Sequence, residues 1–120
     1  MTQKRLSLGR WGEDAAASYL RAQGVKIIER NLRTPVGEID IIGRSGRTLL
    51  FIEVKTRRGR SCGLPQEAVG VRKQRQILRA AQWYLAGGKG PDLQPRFDVV
   101  AVEVGSGGPR VEHIPNAFGA

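Results

Sequence analysis

The sequence predicts a single α/β domain, a mixed central sheet of about five strands flanked by helices. Apolar residues recur at helical spacing in two separate stretches, and β-branched runs of strand length lie between and after them. No linker, repeat or low-complexity block divides the 120 residues, a length that buries a core without disulfide help. The lone Cys62 forbids an intramolecular disulfide, and with the lone His113 it cannot make an ordinary zinc site.

Taken in order, Met1 to Ser7 is polar and basic and reads as a flexible start. From Leu8 to Gln23, Leu8, Trp11, Ala15, Ala16, Tyr19 and Leu20 fall at helical spacing, and Gly24 is the stop. Val25 to Leu32 reads as a strand near a sheet edge, because Lys26, Glu29 and Arg30 need water. Thr34 to Gly37 is a turn. Glu38 to Ile42 and Leu49 to Thr56 then form an antiparallel hairpin around Gly43-Arg44-Ser45-Gly46-Arg47. Thr56 to Gly63 reads as a mobile basic loop and Pro65 to Glu67 as the lead-in to a second helix ending near Ala86. Its face of Ile77, Leu78, Ala81, Tyr84 and Leu85 packs on the sheet, while Arg72, Arg75 and Arg79 align at i, i+3 and i+7 on another. Phe97 to Val104 is a strand, joined to the Glu53 strand by a right-handed crossover if the two are parallel neighbours, Arg110 to Ile114 a short last one, and Pro115 to Ala120 a flexible tail.

The chemistry concentrates in GEIDIIGRSGRTLLFIEVKTR, Gly37 to Arg57. Side chains alternate along a strand, so Glu38 and Asp40 share one face, and so do Glu53 and Lys55. Leu50, Ile52 and Val54 point the other way, and Ile39 and Ile41 cover the side opposite Asp40. Two carboxylates about 5 Å apart repel by roughly 3 kcal/mol at an effective dielectric of 20, and a divalent cation with oxygen ligands removes that cost. Glu38 is open to three roles: ligand, support for a ligand, or solvated strand-end carboxylate. We take Asp40 as the ligand and Glu38 as supporting. Gln74 falls among apolar positions, so it hydrogen-bonds a ligand carboxylate or a water near the site, or reaches solvent.

Asp40 followed by Glu53-Val54-Lys55 on the next strand is similar to the metal-binding motif of the restriction-endonuclease-like nucleases, an acid followed by acidic-x-lysine. GEIDIIGR and LLFIEVKTR, with the later RFDVV, resemble the small bacterial YraN family, whose fold is similar to that of archaeal Holliday junction resolvases. The resemblance runs from Leu8 to Val104. Ile39 departs from the Pro that often precedes the first acid, a residue that is not a ligand. The resemblance implies a restriction-endonuclease-like fold and a divalent-metal-dependent DNA endonuclease acting on branched or structured DNA. Asp40, Glu53 and the Val54 carbonyl would hold Mg²⁺ or Mn²⁺. Glu13 matches a helical glutamate that joins the ligand set in resolvase-like nucleases; otherwise it is a solvated carboxylate near a helix N-terminus. Lys55 would orient the attacking water or neutralise charge on the phosphate. Asp98 of RFDVV reads instead as a structural partner for a nearby arginine.

The net charge of +9 and pI near 10.8 point to a polyanion, of which nucleic acid fits best. Arg57, Arg58, Arg60, Lys73 and the stripe of Arg72, Arg75 and Arg79 would track the phosphate backbone without reading sequence. No apolar run approaches the length of a membrane span and no secretory signal is evident, so no membrane partner and a cytoplasmic location are expected. A homodimer follows if symmetric cleavage of a four-way junction carries over. Two other readings use the same residues: a catalytically silent nucleic-acid-binding protein of the same fold, and an interaction protein whose Glu and Lys form a salt-bridge network. The second has to meet the desolvation cost of buried charge.

Overall fold

The computed structural model describes residues 2–58 and 69–119, with side chains from Leu8 onward. The elements are α1 (Thr2–Ala22), β1 (Lys26–Thr34), β2 (Gly37–Ser45), β3 (Thr48–Arg58), α2 (Val71–Ala86), β4 (Gln94–Gly105) and β5 (Gly108–Phe118). They build one five-stranded sheet in the order β1-β2-β3-β4-β5. Only β3 and β4 are parallel; the other neighbours are antiparallel. A mixed sheet between two helices is the architecture expected of a restriction-endonuclease-like domain.

Both helices sit where their apolar stripes require. Ala16, Ala17 and Leu20 of α1 pack on Val25, Ile41, Leu50, Ile52, Val100 and Val102. On the other face, Ala80, Ala81 and Tyr84 of α2 cover Ile39, Ile42, Leu49 and Phe51. The central strand β3 is therefore buried on both sides, Leu50 and Ile52 toward α1 and Leu49 and Phe51 toward α2, as its alternation predicts. Phe51 stacks on Phe97 at 5.4 Å and meets Tyr84 edge-on at 6.0 Å, the two geometries aromatic rings prefer.

Gly24 ends α1 at φ +90°, and the Val25 and Gly24 N–H groups donate to the carbonyls of Leu20 and Arg21, which closes the helix end. Several sequence-based boundaries change. The helix α1 begins at Thr2, so residues taken as a flexible start belong to it. The hairpin turn between β2 and β3 shrinks to Gly46-Arg47, and the strands run further than their apolar cores. The strand runs past Thr56: Arg57 and Arg58, assigned to a loop, continue β3, because β4 offers Glu103 and Val104 as partners in register. In the same way β5 runs to Phe118 and absorbs most of the expected tail, Phe118 stacking on Phe97 at 5.5 Å. The rest of the basic loop, including Arg60 and Cys62, and the helix lead-in Pro65 to Glu67 lie outside the described residues.

One departure from ideal strand geometry positions the site. Ile39 packs under α2 but Ile41 under α1, so the chain loses its alternation at Asp40, and these two residues do not share a face as the sequence suggests. The β2–β3 register runs from Ser45↔Thr48 to Ile41↔Ile52 and goes no further. On the β1 side the pairs Arg30↔Ile41 and Leu32↔Ile39 bracket Asn31, which adopts φ +54°, a conformation asparagine tolerates better than most residues. The sheet opens at Asp40.

Candidate functional site

Where the β2–β3 ladder stops, the Val54 N–H loses its backbone partner, and the Asp40 carboxylate takes its place at 2.8 Å. A strand residue points its N–H and C=O toward the same neighbour, so the Val54 carbonyl faces the same opening. Beside Asp40, Glu53 is buried under α2. Burial first, then the charge of Asp40 and a hydrogen-bonding contact with it, push the Glu53 carboxyl up to about 8, against the pull of Lys73 and Lys55. Glu53 thus keeps its proton at neutral pH beside Asp40. Loss of that proton leaves two negative charges in one gap of the sheet.

Asp40 opens onto a cleft of about 650 Å³ lined from four elements: Leu8, Gly9, Arg10 and Glu13 of α1, Asn31 of β1, Glu38 of β2, and Val54, Lys55 and Thr56 of β3. Gly12 brings α1 this close. A methyl group at Gly12 would overlap the Thr56 side chain, so the absent Cβ sets the spacing that carries Glu13 to the cleft. Gly37 does the same on the other face: at φ +151° its Cα lies against Gln76 of α2, where a Cβ would come within 2.6 Å of Gln76 Cγ.

Glu13 is buried rather than solvated. Its Oε1 accepts Arg30 Nε at 2.8 Å and Asn31 Nδ2 at 3.0 Å. The positive φ of Asn31 is what turns two consecutive side chains onto one carboxylate. Arg30, expected to need water, is held instead between Glu13 and Asp14, whose Oδ1 accepts Arg30 Nη2 at 2.5 Å; the bonds to Asp14 and Glu13 raise the guanidinium above its ordinary value. Among the described residues the Glu13 Oε2 accepts no hydrogen bond. Glu38 stands at the exposed rim, 3.6 Å from Arg33.

The structure thus brings Asp40, Val54, Lys55, Glu13 and Glu38 to one cleft, with Glu53 against Asp40. Among the described residues no three His, Cys, Asp or Glu side chains converge into a closed metal cage. Gln74 lies elsewhere: its Nε2 donates to the Val69 carbonyl at 2.8 Å, tying α2 to the chain that enters it. Lys73, assigned to the phosphate-tracking surface, sits 3.9 Å from Glu53 and belongs to the acidic pair. Its place was visible in the sequence, since Lys73 precedes the buried Ile77 by one helical turn and shares the apolar face. The exposed Arg72, Arg75 and Arg79 remain on the outer face of α2; Arg57 is half-buried and Arg58 exposed at the end of β3. Sequence reading missed Arg10 and Asn31, which carry no local signal, and Gly12, a glycine inside a helical pattern that marks close packing.

Asp98 is the second buried acid of the sheet, fully enclosed. Arg96 grips it with two bonds of 2.9 Å, His113 Nε2 lies at 2.7 Å, and the Asn116 N–H donates at 3.0 Å. Burial alone would raise this carboxyl, yet the bonds to His113, Arg96 and Asn116 hold it below the ordinary range.

A family model described as "Uncharacterised protein family UPF0102" matches residues 12–102. The chain is 67% identical over 118 residues to a UPF0102 protein of Syntrophotalea carbinolica, covering 98% of this chain and 96% of that one. It is 48% identical over 118 residues to one from Geobacter metallireducens, covering 98% and 97%. A UPF0102 protein of Rhodococcus jostii is 48% identical over 115 residues, covering 94% and 97%.

Proposed function

The chain belongs to the uncharacterised protein family UPF0102, the YraN family, and we propose that it is a divalent-metal-dependent DNA endonuclease acting on branched or otherwise structured DNA. The observation that carries the reading is the Asp40–Glu53 pair: two carboxylates in contact at a break in the sheet, one driven up to about 8, beside an open cleft. Such a pair is costly to a fold and useful to a cation.

The donors fit Mg²⁺ or Mn²⁺: Asp40, Glu53 and the Val54 carbonyl are hard oxygens, and Mg²⁺ needs only one or two carboxylates because it retains water and takes substrate phosphate. Glu13, whose Oε2 accepts no hydrogen bond among the described residues, supports the set from α1. When bound, the cation supplies Lewis-acid polarisation of a phosphodiester oxygen. Lys55, at the cleft wall, orients the attacking water and offsets charge gathering on the phosphate. Lys73 holds Glu53 in place from α2. Arg10 in the cleft and Arg57 and Arg58 beyond Lys55 bind the flanking phosphates.

The open ligand set favours a second reading, a catalytically silent nucleic-acid-binding protein with the same fold. Calorimetric titration with Mg²⁺ and Mn²⁺, followed by incubation with linear, single-stranded and four-way-junction DNA, separates the two. Metal binding and cutting, both lost in Asp40→Asn while the fold is kept, are the expected result. Salt-sensitive DNA binding with no metal uptake would establish the silent binder instead.

A further inference from the structure

The outer face of α2 carries an unusual combination. Its buried side is filled by Ile77, Ala80, Ala81 and Tyr84, so Trp83 is turned outward and remains 47% exposed. At about 100° per residue, Arg72, Arg75, Arg79 and Trp83 fall within an arc of about 80°. The three arginines are exposed, and among the described residues none forms a salt bridge. A solvated face requires no indole, and three guanidinium groups with no carboxylate partner among the described residues, leading to one, describe a surface for a polyanion with an accessible flat ring.

We infer that this face binds a single-stranded segment of DNA, its phosphates along Arg72, Arg75 and Arg79 and one unpaired base stacked on Trp83. In a duplex both faces of an interior base are already stacked, so an exposed indole gains a partner only from an unpaired or terminal base. Charge complementarity selects nucleic acid over an apolar partner, and the guanidinium groups add cation–π attraction to the base. The two surfaces are also in reach of one strand. Lys73, at Glu53, and Trp83 are ten residues apart on one helix, about 15 Å along its axis. That distance is about four nucleotides at the 3.4 Å spacing of a stacked strand. The site proposed above would then cut near a junction between paired and unpaired DNA. The inference rests on that reading only for the choice of DNA as partner and for the position of the cut.

The test needs no cleavage. Trp11 and Trp83 are the only tryptophans, so Trp11→Phe leaves Trp83 as the sole indole emitter. Titrated in EDTA, this variant should be quenched by a short single-stranded oligonucleotide and not by a blunt duplex. In the wild-type background, Trp83→Ala should lose about 5- to 150-fold in affinity for the single strand, with binding of the duplex unchanged. Trp83→Phe, which keeps a stacking ring, should retain most of it. Arg79→Gln should weaken both ligands and lower the salt slope by about 0.7–0.9. Equal losses on both ligands in Trp83→Ala, absence of quenching in Trp11→Phe, or conversion of a dimer to a monomer by Trp83→Ala would overturn the inference; the last would assign the face to a second copy. A protein that shows the quench but never cuts overturns the nuclease and keeps this surface, and one that cuts without the quench does the reverse.

Discussion

The sheet is interrupted at two acidic positions, Asp40 and Asp98, and the chain treats them in opposite ways. At Asp98 the β4–β5 register slips between Phe97 and Val99, and the carboxylate fills the gap with bonds from Arg96, His113 and the Asn116 backbone. At Asp40 the β2–β3 ladder ends, and the carboxylate takes one backbone N–H from Val54 and then faces another acid, Glu53. Asp98 is held below its ordinary range and Glu53 is forced above its own. A buried acid satisfied by the protein's own cations is part of the fold. The buried Glu53 against the half-buried Asp40, with Lys73 at 3.9 Å and an open cleft beside it, is where the proposed cation would bind.

The largest expected effect tests that division directly. Asp98→Ala leaves the Arg96 guanidinium facing a hole and should cost about 3–5 kcal/mol in chemical denaturation, the range for breaking a buried charge pair. Glu53→Gln should do the opposite for the metal-free protein above pH 8, where the wild-type pair carries both charges, raising the melting temperature while abolishing metal uptake. If Glu53→Gln destabilises as Asp98→Ala does, the pair is structural and the contrast collapses.

A smaller effect separates the two acids by pH. The Glu53 carboxyl is raised from 4.5 to about 8, so the folded protein keeps a proton that the unfolded chain has lost. The stability this contributes is fully present below pH 4.5 and declines as pH rises to about 8. Asp98 works the other way: its contribution stands above its ordinary value of 3.8 and is lost as pH falls through its lowered one. Urea titrations of metal-free protein should therefore show stability falling from weakly acidic to weakly basic pH, the fall flattened by Glu53→Gln and by Mg²⁺. Identical slopes in wild type and Glu53→Gln would remove Glu53 as the cause.

The contrast also marks what the sequence could reveal. The two amphipathic helices and the doubly buried β3 were legible, because period and burial are the same information read twice: Leu50 and Ile52 on one side, Leu49 and Phe51 on the other. The pairing of Asp98 with an arginine was legible too, Arg96 lying two residues away on the same strand face. The break at Asp40 was not. It depends on Asn31 taking a positive φ in a neighbouring strand and on Gly12 and Gly37 admitting α1 and α2 at close range, none of which leaves a periodic trace. Gln74 failed as a site residue for a related reason: a wheel gives an angle around the helix, while its partner, the Val69 carbonyl, lies off the helix end.

The smallest effect concerns the acid that stands between the two cases. Glu13 has one oxygen satisfied by Arg30 and Asn31, as Asp98 has both, and the same side chain lines the cleft, as Asp40 does. Glu13→Gln keeps an oxygen for those two donors, and Arg30 retains Asp14, so the melting point should move by the equivalent of about 1 kcal/mol or less. Metal affinity should fall about 10-fold, as for a group that acts on a metal through an intervening ligand or water, against complete loss in Asp40→Asn. Calorimetry at fixed pH reads both. Unchanged affinity with a lowered melting point would move Glu13 to the side of Asp98, an acid whose purpose is to hold β1 against α1. Loss as complete as that of Asp40→Asn would make it a direct ligand that swings to the metal, and the cation would then be what fixes the distance between the helix and the open sheet.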